Sequence, residues 1–164
     1  MTPLDGRTEG TRPMAPSSHS ALGTTADFDA AAHGESFELV ARAAAAAEAR
    51  AHVRRLLGRW RLCDDVCATA QLVISELVTN AVLHASGGRI VCRLALRAPG
   101  VRLEVRDQGG SYAVPIRTVA GPEDECGRGL GLVAALSEAW GAEPSGPGFA
   151  VWATIGVPRP PARG

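Results

Sequence analysis

Lysine is absent from this sequence, and arginine supplies all 17 basic residues among its 164 positions. A phosphate-binding loop of the Walker type needs a lysine that reaches the phosphates of a nucleotide. Protein kinases of the usual eukaryotic kind also need one, on a strand beside the nucleotide. Both of these phosphate-binding arrangements are therefore excluded.

Net charge is also absent, because 17 acidic residues balance the 17 basic ones. A chain without an excess of positive charge has no field that attracts nucleic acid or an anionic membrane. We therefore expect neither partner.

The sequence pattern lacks a secretory signal and a membrane span. The first residues, MTPLDGRTEG, do not show the order of charged and then apolar residues that marks a signal. No stretch approaches the roughly 20 apolar residues that cross a bilayer. We expect a cytoplasmic protein.

Cysteine is scarce, with four residues, Cys63, Cys67, Cys92 and Cys126. In a reducing compartment cysteines mostly behave as small apolar residues, so we expect thiols. Cys63 and Cys67 are spaced to share one helix face and could place two sulfurs on one metal. No second pair of ligands lies nearby in the sequence, so we expect no structural zinc site.

Composition divides the chain into three parts. Residues 1–33 are rich in Thr, Pro, Ser, Gly and Ala with few bulky apolar groups, so we expect a disordered N-terminal tail. We expect residues 34–157 to form a single domain and residues 158–164 to form a short flexible C-terminal tail. A chain of this length is long enough to form one hydrophobic core.

Hydrophobic periodicity predicts both helices and strands in residues 34–157. The predicted elements are a strand over 36–40, a helix over 41–57, a helix from Asp64 or Asp65 to His84, strands over 89–97 and 101–107, a helix over 127–137, and strands over 139–142 and 149–157. This order predicts an α+β two-layer sandwich, with a mixed, mostly antiparallel sheet covered on one face by helices.

Polar residues and glycines interrupt this pattern at three stations, and each alone has an ordinary structural explanation. An i, i+4 pair of Glu and Asn is common on a solvated helix face, Asp-x-Gly-Gly is common in turns, and glycine triplets are common in loops. The stations are Glu76 with Asn80, Asp107 with Gly109, and Gly127-Arg128-Gly129-Leu130-Gly131.

The glycine triplet resembles a dinucleotide-binding fingerprint, but that fingerprint requires a preceding strand, which residues 122–126 do not form. The residues present agree with a different kind of phosphate site. In such a site Mg²⁺ neutralises the phosphate charge, and backbone N–H groups at the start of a helix bind the phosphates. Asn80 is suited to the ion because magnesium prefers oxygen ligands.

Three segments together resemble a known superfamily. The segment ISELVTNAVLHA (74–85), the turn Asp107-Gln108-Gly109-Gly110 and GRGLGL (127–132) resemble the N box and the two glycine boxes of the GHKL ATPases, in the same order and at similar separations. These enzymes include gyrase, mismatch-repair proteins and histidine kinases. Over residues 36–157 the chain is most similar to the single-domain bacterial anti-sigma factor serine/threonine kinases, which implies the Bergerat-type ATP-binding fold.

The resemblance implies a role for each station in binding ATP and Mg²⁺. Glu76 would be the general base and Asn80 the magnesium ligand. Asp107 would accept the adenine amino group, and Gly109 would allow the base to approach closely. The segment Gly127, Arg128, Gly129, Leu130 and Gly131 would shape the lid hinge and the phosphate cradle; Arg128 contacts phosphate or is an ordinary surface arginine. We interpret His84 as a structural histidine.

One segment departs from the family pattern. Where the family often has a Gly-Thr-Thr type segment entering the last strand, this chain has Gly148-Phe149-Ala150-Val151. The hydroxyls that help to hold adenine are missing there. Adenine is then held more weakly, or by apolar contact.

The resemblance implies a kinase that transfers the γ-phosphate of ATP to a serine or threonine of an anti-sigma factor antagonist. It also implies a sigma factor as second partner, and a homodimer. Three alternatives stay open at this point. They are a non-catalytic nucleotide-dependent switch that sequesters its partner, a catalytic domain detached from a histidine kinase, and an interaction protein without a nucleotide.

Overall fold

The computed structural model describes residues 33–84, 88–108 and 125–158, with side chains from Gly129 onward in the last range. The expected tails therefore lie outside the described residues, except for His33 and Pro158. Within these ranges the elements are β1 (His33–Val40), α1 (Ala45–Arg59), α2 (Asp64–His84), β2 (Arg89–Arg97), β3 (Gly100–Asp107), α3 (Glu125–Leu136), β4 (Ala139–Ser145) and β5 (Gly148–Gly156).

The strands form one sheet in the order β1-β2-β3-β5-β4. Each described pair of neighbouring strands is antiparallel, so the sheet is antiparallel where the sequence allowed a mixed one. The helices contribute to a single apolar core against one face of this sheet. The residues that the sheet contributes to that core are Leu39, Ile90, Cys92, Leu94, Val101, Leu103, Val105, Val151, Ala153 and Ile155. The predicted α+β two-layer fold is confirmed.

Helix α2 is the central helix of the domain. It contacts α1 and α3 on its sides and β2, β3 and β5 beneath it. Acidic residues Asp64 and Asp65 occupy its first turn, where the helix dipole favours negative charge. Its buried residues are Val66, Ala70, Val73, Ile74, Leu77, Val78 and Ala81. They recur at the three- and four-residue spacing of one helix face, which is the periodicity that predicts α2 from the sequence.

Helix α2 is also long and apolar enough, by length and composition, to cross a membrane. The expectation that no stretch approaches such a length is therefore wrong for residues 64–84. The apolar residues of this helix pack against the sheet and the other helices, as in the core helix of a globular domain.

Several element boundaries differ from the predicted ones, and β1 begins at His33 instead of residue 36. Helix α1 begins at Ala45 instead of residue 41, because the Ala41 N–H donates to the carbonyl oxygen of Gly88 at 2.8 Å and ties the end of β1 to the start of β2. Strand β4 continues to Ser145 and turns through Gly146 and Pro147 into β5. Helix α3 begins at Glu125, so Gly127 lies within its first turn and does not start it.

Candidate functional site

Glu76 and Asn80 lie one turn apart on α2, and both are half-buried. Their neighbours Leu77 and Ala81 are buried in the core, so the polar pair lies at the edge of the apolar face. Neither polar side chain forms a hydrogen bond or an ion pair with another described residue. The pair is therefore open to a ligand.

The carboxylate of Glu76 lies directly against the backbone of α3. A Cβ atom added to Gly129 would be 2.6 Å from Glu76 Oε2, which is closer than real Cβ atoms approach an oxygen. Glycine at this position therefore leaves the space that the carboxylate occupies. Two of the three stations, far apart in the sequence, are in contact in the fold.

The Glu76 carboxylate is also close to the N-terminal end of α3, since Gly129 is the fifth residue of that helix. The first four N–H groups of an α-helix have no acceptor within the helix and carry its positive dipole end. Here they belong to Glu125 through Arg128. The side chain of Arg128 lies outside the described part, so its predicted contact stays a prediction.

The remaining residues of the glycine segment differ in their surroundings. Leu130 is half-buried and packs against the apolar core, which gives it a structural contact in addition to its predicted place in the cradle. Gly131 is exposed, and a Cβ added there would meet no atom within 4 Å. Of the two glycines whose surroundings are described in this segment, Gly129 lies against the acid and Gly131 does not.

Asp107 is the last residue of β3 and is half-buried. The backbone N–H of Phe149, on β5, donates to Asp107 Oδ1 at 3.4 Å. Asp107 is also the partner of Ile90, the second residue of β2. Because α2 ends at His84, only a few residues before β2, Asp107 lies at the same end of the domain as Asn80. Gly109, the other member of this station, lies outside the described residues.

Two contacts near the stations could not have been found from residue types. The Phe149 N–H that holds Asp107 is a backbone donor, present at almost every position. Ser75, which precedes Glu76, donates to the carbonyl oxygen of Gln71 at 2.7 Å and accepts from Arg50 Nη1 at 3.1 Å. The two hydrogen bonds of Ser75 link the turn before Glu76 to α1. His84, half-buried, ends the same helix.

A magnesium ion can be accommodated by the residues present. Mg²⁺ usually keeps several waters, and a nucleotide supplies further oxygens, so the protein need contribute only one or two ligands. The amide oxygen of Asn80 is such a ligand. It is half-buried, next to Glu76, and not engaged by another described residue.

The cysteines within the described ranges differ in their surroundings. Cys63, Cys67 and Cys92 are free thiols. Burial raises the pKa of Cys67, with Asp64 and Cys63 adding to the rise, and burial raises the pKa of Cys92 to about 12. Both shifts favour the neutral thiol, whereas metals bind the thiolate. The described residues contain no group of three or more His, Cys, Asp or Glu positioned for a metal.

Comparison with known proteins finds one family model that matches the chain. The family model described as the histidine kinase-like ATPase domain matches residues 39–155. No curated protein sequence matches the chain.

Among solved structures, the chain is similar to the RsbU and RsbW domains of Rv1364c from Mycobacterium tuberculosis. The sequence identity is 26% and the TM-score is 0.60. The match covers 78% of this chain and 33% of the other, so the present chain spans about a third of the length of that protein chain. The similarity is to its RsbW domain.

Proposed function

The chain belongs to the histidine kinase-like ATPase domain family, and from that premise we propose that it binds ATP with Mg²⁺ and phosphorylates a protein partner. The acceptor would be a serine or threonine hydroxyl of an anti-sigma factor antagonist. The observation that carries this proposal is the position of the Glu76 carboxylate, which lies against Gly129 near the start of α3 and has no partner among the described residues.

Each station has a chemical task in this proposal. Glu76 accepts the proton of the attacking hydroxyl as that oxygen bonds to the γ-phosphorus and ADP leaves. Asn80 holds Mg²⁺, which when bound neutralises charge on the phosphates. Backbone N–H groups at the start of α3, where Gly127 and Arg128 lie, donate to phosphate oxygens. The absence of lysine from the whole chain is compatible with this division of tasks.

Asp107 selects the base in this proposal. Its carboxylate accepts from the exocyclic amino group of adenine, with Gly109 leaving room for the ring. The Phe149 N–H orients this carboxylate from β5, which offsets part of the loss of the family's threonine hydroxyls at positions 149 and 150. Guanine presents a carbonyl where adenine has the amino group, so two acceptors would face each other, at a cost of several powers of ten in affinity.

The partners follow from the resemblance and from the likeness to an RsbW domain. We propose that the unphosphorylated antagonist competes with a sigma factor for this protein in the cytoplasm, and that the protein acts as a homodimer. We propose that residues 34–157 form the domain that binds the nucleotide and these partners.

The first experiment measures nucleotide binding by calorimetry on the full chain. We expect ATP with Mg²⁺ to bind and GTP with Mg²⁺ to give no measurable heat. Asn80→Ala should weaken the magnesium-dependent part of ATP binding and leave the magnesium-independent part unchanged. Equal affinity for the two nucleotides would remove Asp107 from its role as the base-selecting residue.

The second experiment measures transfer. Labelled ATP is incubated with the full chain and a candidate antagonist protein, taken from a neighbouring gene where one is found, and the candidate is assayed for labelled serine or threonine. We expect label on the antagonist. If ATP binds but no candidate antagonist acquires label, the protein is a nucleotide-dependent switch that does not transfer phosphate.

A further inference from the structure

Two exposed leucines lie beside Glu76, on the two helices that meet at this carboxylate. Leu72 precedes Glu76 by one turn of α2 and is 51% exposed. Leu132 follows Gly129 by one turn of α3 and is 36% exposed. Residues one turn apart share one side of a helix. Each leucine therefore flanks, on its own helix, the contact between Glu76 and Gly129.

The direction of α3 brings the two leucines level with each other. Helix α2 ends at the same end of the domain as Asp107, the last residue of β3. Strand β4 follows α3, and its first residue, Ala139, pairs with Thr154, which pairs with the third residue of β3. Helix α3 therefore ends at the opposite end of the sheet and runs antiparallel to α2. One turn beyond Gly129 then corresponds to one turn before Glu76.

Two arginines of α1 border the same stretch of α2 on its other side. Arg50 is exposed, and its Nη1 donates to Ser75 Oγ at 3.1 Å. Arg54, one turn further along α1, is exposed and forms no hydrogen bond or ion pair with another described residue. Four residues separate α1 from α2, so the helices form an antiparallel hairpin that brings Arg54 level with Leu72. We call Leu72, Leu132, Arg50 and Arg54 the flanking patch.

The border that α1 gives to the flanking patch is positively charged. Arg55 and Arg59 face β1 instead, since Arg59 pairs with a glutamate of β1 and Arg55 bonds to a histidine whose ring stacks on a phenylalanine of β1. Arg50 and Arg54 are on the α2 side of the same helix. The acids in the first turn of α2 are about 10 Å further along that helix. An acidic partner is therefore complementary to this border.

The flanking patch lies on the opposite side of Glu76 from the proposed nucleotide site. Asn80 is one turn after Glu76, toward the end of the domain that carries Asp107, whereas Leu72 is one turn before it. In phosphoryl transfer the attacking and leaving oxygens lie roughly in line with the phosphorus. The acceptor hydroxyl must then approach from the side away from ADP, which is the side of the flanking patch.

We propose that the flanking patch binds the acceptor protein through a segment with apolar residues beside its serine or threonine and acidic residues further along. The apolar residues pack on Leu72 and Leu132, the acids pair with Arg50 and Arg54, and the hydroxyl lies at Glu76. Packed helices are about 10 Å apart, a distance that about three extended residues cover, so the acids are about three residues from the hydroxyl. This inference rests on the proposed function and specifies its substrate.

A protein segment fits the flanking patch better than an anionic membrane does. Leucines with arginines are also typical of surfaces that bind lipid headgroups. Such a surface, however, would bring a continuous layer of phosphates over the carboxylate of Glu76, which repels them. A protein segment brings a neutral hydroxyl to the same place.

Fluorescence anisotropy with synthetic peptides tests the proposal without phosphate transfer. The probe is fluorescein-labelled Asp-Asp-Gly-Leu-Ser-Leu-Gly-Asp-Asp, mixed with the full chain, ADP and Mg²⁺. One control peptide has glycine in place of both leucines, and the other has asparagine in place of the aspartates. We expect the probe to bind about fivefold more tightly than either control. Equal affinities, or no measurable binding of the probe, would overturn the proposal.

The apolar half of the patch is tested with Leu72→Ser. We expect this variant to bind the probe about fivefold more weakly and the leucine-free peptide as the wild type does. Val40→Ser is the matched control, because Val40 is 58% exposed on β1, and it should bind the probe normally. Circular dichroism checks that both variants are folded. An equal loss in the two variants would contradict a specific contact at Leu72.

The basic half is tested with Arg50→Gln combined with Arg54→Gln. We expect about fivefold weaker binding of the probe, unchanged binding of the asparagine peptide, and loss of the difference from wild type at about 1 M salt, which screens exposed charges. Arg55→Gln combined with Arg59→Gln removes the same charge from the β1 side of α1 and should leave binding unchanged. Equal losses in both double variants would mean that only the overall charge matters, against the proposal.

Two further measurements separate this inference from the proposed function and from other occupants. If the probe binds through the patch but no antagonist acquires label, the docking site stands and phosphate transfer fails. If an antagonist is labelled and Leu72→Ser leaves its KM unchanged, the docking inference alone fails. Dissociation of a homodimer by Leu72→Ser in analytical ultracentrifugation would assign the patch to a second copy. Arginine-dependent binding to phosphatidylglycerol vesicles would assign it to a membrane, and either result would overturn the proposal.

Discussion

Two glutamates on opposite sides of the domain illustrate two uses of a carboxylate. Glu76, on the helix side, is half-buried, has no partner among the described residues and faces a glycine that leaves it room. Glu104, on the sheet face away from the helices, is fully buried and is flanked by Arg106 and Arg93. The first is available to a ligand, and the second is engaged by the protein itself.

The difference lies in what surrounds each charge. A buried carboxylate bound to arginines is costly to disturb, because removal of one partner leaves the others buried and uncompensated. A carboxylate without a neutralising neighbour can accept a proton from a substrate, and such groups are concentrated at functional sites. Loss of Glu76 should therefore affect chemistry, and loss of Glu104 should affect folding.

The largest effect should follow from Glu76→Gln. Removal of a general base typically lowers the rate by about 10²- to 10⁴-fold, so we expect such a loss in transfer of label from ATP to the antagonist. Calorimetry should show that ATP with Mg²⁺ still binds, and urea unfolding should show wild-type stability. Transfer at the wild-type rate would mean that Glu76 is not the base.

Glu104→Ala should have the opposite profile. We expect the free energy of unfolding to fall by about 3 to 5 kcal/mol, the usual result of removing one member of a buried ion pair. Urea denaturation monitored by circular dichroism measures this change. Glu104→Gln keeps the volume and should lose less, and a loss below about 1 kcal/mol for Glu104→Ala would mean that the arginines reach water and are not held by this acid.

The sequence predicts the fold better than it predicts the two environments of these acids. Helix α2 is predicted from Asp64 to His84 because its apolar periodicity and acidic first turn are local signals. The start of α1 is missed because it depends on the bond between Ala41 and Gly88, residues far apart in the chain. Local patterns do not contain such contacts.

The same distinction applies to the site. The spacing of Glu76 and Asn80 is visible in the sequence, whereas the contact of Glu76 with Gly129 exists only after α2 and α3 pack together. The burial of Glu104 could not be predicted either, since a glutamate that alternates with apolar residues on a strand is typical of a solvent-facing position.

Gly129→Ala tests whether the space beside Glu76 matters. The added methyl would displace the end of the flexible Glu76 side chain and leave the backbone in place. Misplacement of a catalytic group by about 1 Å can cost up to about 10²-fold in rate, so we expect transfer to fall by up to this factor. Stability should not fall, because alanine favours a helix by up to about 1 kcal/mol over glycine. Unchanged transfer would show that the position of the carboxylate is not critical.

The smallest effect should come from Gly58→Ala, which makes the same substitution in α1, away from the site. Gly58 is exposed, and a Cβ added there would meet no atom within 4 Å, so the helix gains propensity without a clash. We expect a gain of about 0.5 to 1 kcal/mol in the free energy of unfolding and wild-type transfer. If Gly58→Ala slowed transfer as much as Gly129→Ala, the cause would be a general stiffening of the helices, because Gly129, unlike Gly58, has a carboxylate in the space that the new methyl would fill.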